Sequence, residues 1–173
     1  MQALAFWNAV TEDHANLLER FVGWLGTQHV KFCLVGGQAV NAYVEPVVSL
    51  DLDVVIAAHQ LDAVRSALDR TFAVESFPHS VNISVQGSDL RIQIQLDPRY
   101  GAFVERATAR NVLGLTLPVA SLEDVLQEGV WAAEDITRRP SKRQKDLADI
   151  ARLIEEYPRL RASVPAGLLD KLV

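Results

Sequence analysis

The chain has 173 residues, 49% of them hydrophobic and 23% charged, with 9 Gly and 7 Pro. This composition excludes disorder, collagen and low complexity and fits one domain over residues 1–173. Formal net charge is -5, from 17 basic and 22 acidic residues, which argues against a surface built to coat nucleic acid. Cys33 is the single cysteine, so an intramolecular disulfide is excluded and a reducing, cytoplasmic compartment is expected. No uncharged apolar stretch reaches about 18 residues, so no membrane span is expected. The start, Met1 to Trp7 and then the polar Thr11, Glu12 and Asp13, lacks the basic and long apolar regions of a signal peptide.

From Thr11 onward, Leu17, Leu18, Phe21, Val22 and Leu25 recur at helical spacing, which predicts an amphipathic helix ending near Gly26. Lys31 to Val35 reads as a short buried strand running into Gly36-Gly37, and Gln38 to Tyr43 as a short helix. Leu50 to Ala57 alternates, with Leu52, Val54 and Ile56 on one face and Asp51, Asp53 and Val55 on the other. A helix is expected over Leu61 to Leu68, and Thr71 to Val74 is a candidate strand. Val81 to Val85 and Leu90 to Leu96 alternate around Gly87-Ser88 and predict a hairpin.

One further strand is expected over Val112 to Leu117. Ser121 with Asp124 is a capping-box pattern opening a helix whose stripe is Leu122, Val125, Leu126, Val130 and Ala133. Arg138 to Ser141 reads as a break, with Ser141 as a cap, and a last helix carries Leu147, Ile150, Ala151 and Ile154 to Tyr157-Pro158. Residues 159–173 are weakly patterned. The elements predict a mixed α/β (α+β) layer architecture, with a sheet core over 30–118 and C-terminal helices over 121–157.

The chemistry concentrates in Val35-Gly36-Gly37 and, after 11 intervening residues, Ser49-Leu50-Asp51-Leu52-Asp53. Residues two apart in a strand point the same way, so Asp51 and Asp53 stand side by side, roughly 7 Å apart at the backbone. Two such carboxylates repel until one is protonated or a cation neutralises them. Mg2+ or Mn2+ suits their oxygen ligands and substrate phosphates. A glycine turn entering a helix lets backbone N-H groups approach phosphate.

At these residues the sequence resembles the nucleotidyltransferases of the DNA polymerase β-like superfamily, whose signature is a Gly-Gly or Gly-Ser turn followed by an Asp-x-Asp or Asp-x-Glu strand. More narrowly, it is similar to the bacterial group of abortive-infection nucleotidyltransferase toxins of type IV toxin-antitoxin systems and minimal nucleotidyltransferases. Val119 to Asp124 and Lys142 to Ile150 are similar to that group's Arg-x-Lys-Asp-x-x-Asp helix, and the resemblance covers about Val30 to Ile154. It implies a nucleotidyltransferase fold and metal-dependent transfer of an NMP from an NTP to a hydroxyl of RNA, such as tRNA, or of protein. It implies that Gly36, Gly37 and Ser49 contact phosphate, that Asp51 and Asp53 hold Mg2+ or Mn2+, and that a cognate antitoxin is a partner.

The chain departs from that pattern where a third strand carboxylate belongs, since Gln93 stands there. Gln93, Gln95 and Asp97 share strand parity, so Asp97 is the candidate substitute, displaced by roughly 7 to 13 Å along the strand. The alternative function is a nucleotide- or RNA-binding module without chemistry. Gly129 is the second departure, where relatives often carry lysine.

Arg138, Arg139, Lys142, Arg143 and Lys145 place five basic residues in eight positions. Lys142, Arg143 and Lys145 are candidate nucleotide or acceptor contacts, and a solvated helix face with a Lys145-Asp149 pair is the equal alternative. Asp146 and Asp149 are candidates to orient Lys142 or Arg143. Arg91 shares a polar face with Gln93 and Gln95 and is expected to line the cleft. His14, His29, His59 and His79 lack paired ligand spacing, Cys33 reads as a core thiol, and Trp7, Trp24 and Trp131 as core packing.

Overall fold

The computed structural model describes residues 2–10 and 16–172. The stretch 11–15, with the expected polar helix start at Thr11, Glu12 and Asp13 and with His14, lies outside the described residues, as does the side chain of Trp7. Helix α1 is Gln2–Val10 and α2 is Leu17–Thr27. Strand β1 (Phe32–Val35) runs directly into α3 (Gly36–Asn41), and β2 is Asp51–Ile56. After α4 (Leu61–Leu68) come β3 (Ala73–Ser76), β4 (Ser80–Ser84) and β5 (Arg91–Gln95). A short α5 (Phe103–Arg106) precedes β6 (Thr108–Val112) and β7 (Leu115–Val119). Helices α6 (Leu122–Glu134), α7 (Pro140–Glu156) and α8 (Ala166–Leu169) complete the chain.

The described strands form one mixed seven-stranded sheet in the order β3-β4-β5-β2-β1-β7-β6. Strand β2 is its middle member, antiparallel to β1 and parallel to β5. The register sets Val35 opposite Asp53, Asp51 beside Arg91 and Asp53 beside Gln93. Alternation then divides the sheet into a polar and an apolar face. Leu52, Val54, Ile92, Ile94, Val81 and Ile83 are buried on the apolar face, in one core with Phe21 of α2 and Val64 and Leu68 of α4. Aromatic edges reinforce α2, with Phe21 and Trp24 each 5.9–6.0 Å from the Phe72 ring.

Two local expectations change. The apolar run 112–117 is not one strand but the heart of a hairpin, because Leu113 (φ 56) and Gly114 (φ 84) form its left-handed turn. Leucine is an uncommon first residue for such a turn, so the run reads as uninterrupted. Ser141 is not a cap: Arg139 holds that position and Pro140 starts the helix, as its fixed φ and missing N-H allow. Helix α1 carries no amphipathic signature that would have announced it.

Ser121, in contrast, caps α6 by accepting from the Asp124 backbone N-H at 3.2 Å. The Asp124 carboxylate then accepts two bonds from Arg106, both 2.8 Å, which fastens α6 beside α5. Phe21 is fully buried, so Phe21→Ala should cost about 3–5 kcal/mol, read as a lower urea midpoint with an unchanged slope.

Candidate active site

The apolar β1 delivers the chain to Gly36 at φ +67, a conformation that L side chains rarely adopt. A Cβ on Gly36 would stand 2.3 Å from Asp53 Oδ2 and 3.0 Å from its Cγ. A Cβ on Gly37 would stand 2.8 Å from Lys145 Nζ and 3.4 Å from Ser49 Oγ. The two glycines therefore let a carboxylate, an ammonium and a hydroxyl close onto one turn. Gln38 and Asn41 of α3 hold the loop that follows: Gln38 Nε2 donates to the Ser49 carbonyl at 3.2 Å, and Asn41 pairs with both backbone groups of Val47 at 2.7 and 3.0 Å.

A cleft of about 680 Å³ opens over the polar face of the sheet, within the range of small-molecule sites. Gly36, Gly37, Ser49, Asp51, Asp53, Arg91, Gln93, Gln95, Asp97, Lys142 and Lys145 all line it. Arg143, alone of the sequence candidates, is not among the lining residues, and its Nε is buried without a hydrogen-bond partner among the described residues.

Asp51 is paired with two cations. Arg91 reaches its Oδ1 at 3.1 Å and Lys142 Nζ its Oδ2 at 3.1 Å. Asp53 accepts one bond from Gln95 Nε2 at 3.0 Å. Burial, and next the charge of Asp51, push the Asp53 carboxyl up to about 6, against the pull of the Gln95 hydrogen bond, Lys145 and Arg138. Such an upward shift marks a carboxylate short of positive charge.

The α7 acids hold cations other than Lys142 or Arg143, and one of these contacts is the expected i,i+4 pair of Lys145 with Asp149. Asp146 holds Arg138 at 2.7 and 3.2 Å, and Asp149 holds Lys145 at 3.0 Å and Arg152 at 2.8 Å. Lys142 and Arg143 are not their partners, because one turn of α7 carries Lys145 past Asp149 toward Gly37 while Lys142 reaches across to β2. Arg152 also bonds Asn41 Oδ1 at 3.0 Å and the Glu45 carbonyl, so α7 is strapped to the Ser49 loop.

Asp97 lies beyond the end of β5, where it caps a turn by accepting from the Arg99 backbone N-H at 2.9 Å and from its guanidinium at 2.7 and 2.9 Å. That guanidinium bond, first among the causes, holds the carboxyl below its usual range. Arg99 lies 4.4 Å over the Trp131 ring. Trp131 stacks on Phe103, 6.0 Å away with the ring planes nearly parallel, and also lines the cleft, so it combines core packing with a cleft-facing surface.

Glu128 of α6 escaped the sequence reading. Its carboxyl is pushed up to about 8, by burial first and then by the charges of Asp53 and Asp146. The available signal was its place three residues after Val125 and four before Ala132, within the inward arc of α6.

No family model and no curated protein sequence matches the chain. Solved structures do match. The solution structure of the antibiotic-resistance factor ANT(2'')-Ia superposes with a TM-score of 0.59 at 12% identity, covering 93% of this chain and 97% of that one. The lincomycin-bound lincosamide antibiotic adenylyltransferase LnuA gives 0.52 at 16% identity, over 79% and 95%. An antigenic nucleotidyltransferase-like protein from Paracoccidioides brasiliensis gives 0.50 at 13%, over 95% and 96%. The fold is that of the nucleotidyltransferases. The expected fold class stands, with the Gly-Gly turn and Asp-x-Asp strand at adjoining places in the sheet. Among the described residues no helix is long and apolar enough to cross a membrane.

Two predictions follow from the site's geometry and charge. Gly36→Ala should lower the urea midpoint, since the left-handed backbone alone costs about 1–2 kcal/mol and Asp53 must also move. Gly37→Ala should leave the midpoint nearly unchanged, because only the flexible end of Lys145 has to give way. In chelator, Asp53 and Glu128 bind protons more tightly in the folded protein than in the unfolded chain. Their contribution is full below the ordinary carboxylate range and is lost as pH rises through about 6 and about 8. Melting temperature should therefore fall from pH 5 to 8.5, and Asp53→Asn should flatten the lower part of that decline.

Proposed function

We propose that the protein is a metal-dependent nucleotidyltransferase that moves a nucleoside monophosphate from an NTP to an acceptor hydroxyl and releases pyrophosphate. The observation that carries this reading is the contact of Asp53 with the Gly36 backbone, on the strand face it shares with Asp51. Asp51 and Asp53 fit a divalent cation, Mg2+ or Mn2+: both are oxygen ligands, and the raised Asp53 carboxyl lacks the charge that such an ion brings. When bound, the ion would supply charge neutralisation at the reacting phosphate.

The rest belongs to the chain's own groups. Lys142, which reaches Asp51 from α7 and lines the cleft, would place a positive charge within reach of phosphate. Lys145, aimed at Gly37 by Asp149, meets a triphosphate seated on the glycine turn, with Ser49 Oγ beside it. Arg138, fixed by Asp146, adds a third positive charge from the α7 side of the cleft.

For the acceptor, the resemblance implies RNA or protein. The cleft lining weighs against RNA: its carboxylates Asp51, Asp53, Asp97, Glu128, Glu134, Asp135, Asp146 and Asp149 outnumber its lysines and arginines. A compact acceptor, neutral or cationic, suits this lining better. Similar structures include ANT(2'')-Ia with adenylyl-2''-tobramycin and LnuA with lincomycin. A binding module without chemistry is the competing reading, favoured by Gln93 at the place of a third carboxylate.

Incubation with labelled NTPs, Mn2+ and either total tRNA, cell extract or tobramycin separates these readings. Label should pass to one acceptor class and disappear in Asp51→Asn. Nucleotide binding with no transfer to any acceptor identifies the module. If the chain is a toxin of the kind it resembles, its expression alone should arrest growth and Asp51→Asn should relieve the arrest.

A further inference from the structure

The proposed transfer needs a group that takes the proton of the acceptor hydroxyl, and the side chains beside Asp53 cannot do so. Gln93 and Gln95 are amides. Asp97 is consumed by its cap and by the Arg99 guanidinium, with both oxygens bonded. Asp51 carries Arg91 and Lys142, Asp146 carries Arg138, and Asp149 carries Lys145 and Arg152. Asp135 is bonded to Thr137, and Glu134 is exposed at the rim.

Glu128 differs from all of these. It is half-buried on the α6 wall of the same cleft, and no hydrogen bond or ion pair to it is found among the described residues. Its neighbour Gly129 brings no side chain that could neutralise it. The electrostatic environment couples it to the reaction centre, with Asp53 and Asp146 opposing its charge and Arg138 and Lys145 favouring it. An unpaired carboxylate enclosed in a cleft is costly to the fold, and such groups concentrate where chemistry uses them.

We propose that Glu128 is the general base of the transfer, supplying from helix α6 the carboxylate that strand β5 lacks at Gln93. This assignment rests on the nucleotidyltransferase reading above. The acceptor O-H proton passes to a Glu128 carboxylate oxygen while the acceptor oxygen forms a bond to the α-phosphorus. The bond from the α-phosphorus to the bridging oxygen of the β-phosphate breaks, and its electron pair leaves on pyrophosphate. Glu128 then returns the proton to solvent. Among the described residues no group of three His, Cys, Asp or Glu is arranged to hold a metal ion, so Glu128 acts on the acceptor rather than as a third ligand beside Asp51 and Asp53.

The test measures pyrophosphate release from ATP, GTP, CTP and UTP with Mn2+, with tobramycin, with total tRNA and with water alone as acceptor. Wild type, Glu128→Gln, Glu128→Asp, Glu128→Gln with Gln93→Asp, and Asp51→Asn are compared. Glu128→Gln should lower kcat by about 10²- to 10⁴-fold while KM for the NTP and the NTP-induced thermal shift stay unchanged. Its own melting temperature should equal or exceed that of wild type at pH 9, where Glu128 has lost its proton and the substitution removes an enclosed charge. Glu128→Asp should keep part of the rate, and Gln93→Asp should restore at least tenfold to Glu128→Gln. A Glu128→Gln protein within twofold of wild type, alongside an inert Asp51→Asn, overturns the assignment and leaves the transferase reading standing. A wild-type protein that releases no pyrophosphate under any condition overturns both.

Discussion

The approach of the Asp53 carboxylate to the backbone at Gly36 is the contact on which the site depends. It requires a residue without Cβ at positive φ, the end of a buried strand immediately before it, and a partner strand whose register sets Asp53 opposite Val35. Each requirement is met by a separate part of the fold. The apolar face of β1 and β2 anchors the sheet, and their antiparallel ladder transmits that anchoring to the carboxylate. The enclosure that results, with the charge of Asp51 beside it, raises the proton affinity of Asp53.

Helix α7 supplies the opposing charge in an ordered way. Its acids do not face the strand carboxylates directly; they hold arginines and lysines that do. Asp146 fixes Arg138, and Asp149 fixes Lys145, so each cation is positioned by the fold itself. The entropy of ordering those long side chains is met by folding rather than by binding. The basic run of α7 is thus neither a plain solvated face nor an undivided patch. Lys142 and Lys145 enter the cleft while Arg143 does not.

Local patterns were legible in the sequence where chemistry and periodicity coincide. Gly36-Gly37, Asp51 and Asp53 stand out because alternation in a strand is decided by neighbours two residues away. The β4-β5 hairpin and the capped start of α6 were legible for the same reason. What escaped was either a local conformation that residue type does not announce or a contact distant in the chain. Leu113 takes a left-handed turn that its type does not announce, and the pairing of Asp97 with Arg99 removes a carboxylate that strand parity had brought forward. Glu128 gains meaning only when α6 crosses the sheet. Gln38, Asn41 and Arg152, which hold the Ser49 loop, carry no motif of their own.

Arg152 links three pieces of backbone that are far apart in the chain, joining the middle of α7 to Asn41 at the end of α3 and to the Glu45 carbonyl in the following loop. A second tie lies nearby, where the Tyr157 hydroxyl donates to the Tyr43 carbonyl at 3.0 Å. Tyr43 and Glu45 are therefore tied through their carbonyls to the C-terminal half of α7, so local opening at that stretch of loop is coupled to a turn of helix about a hundred residues away.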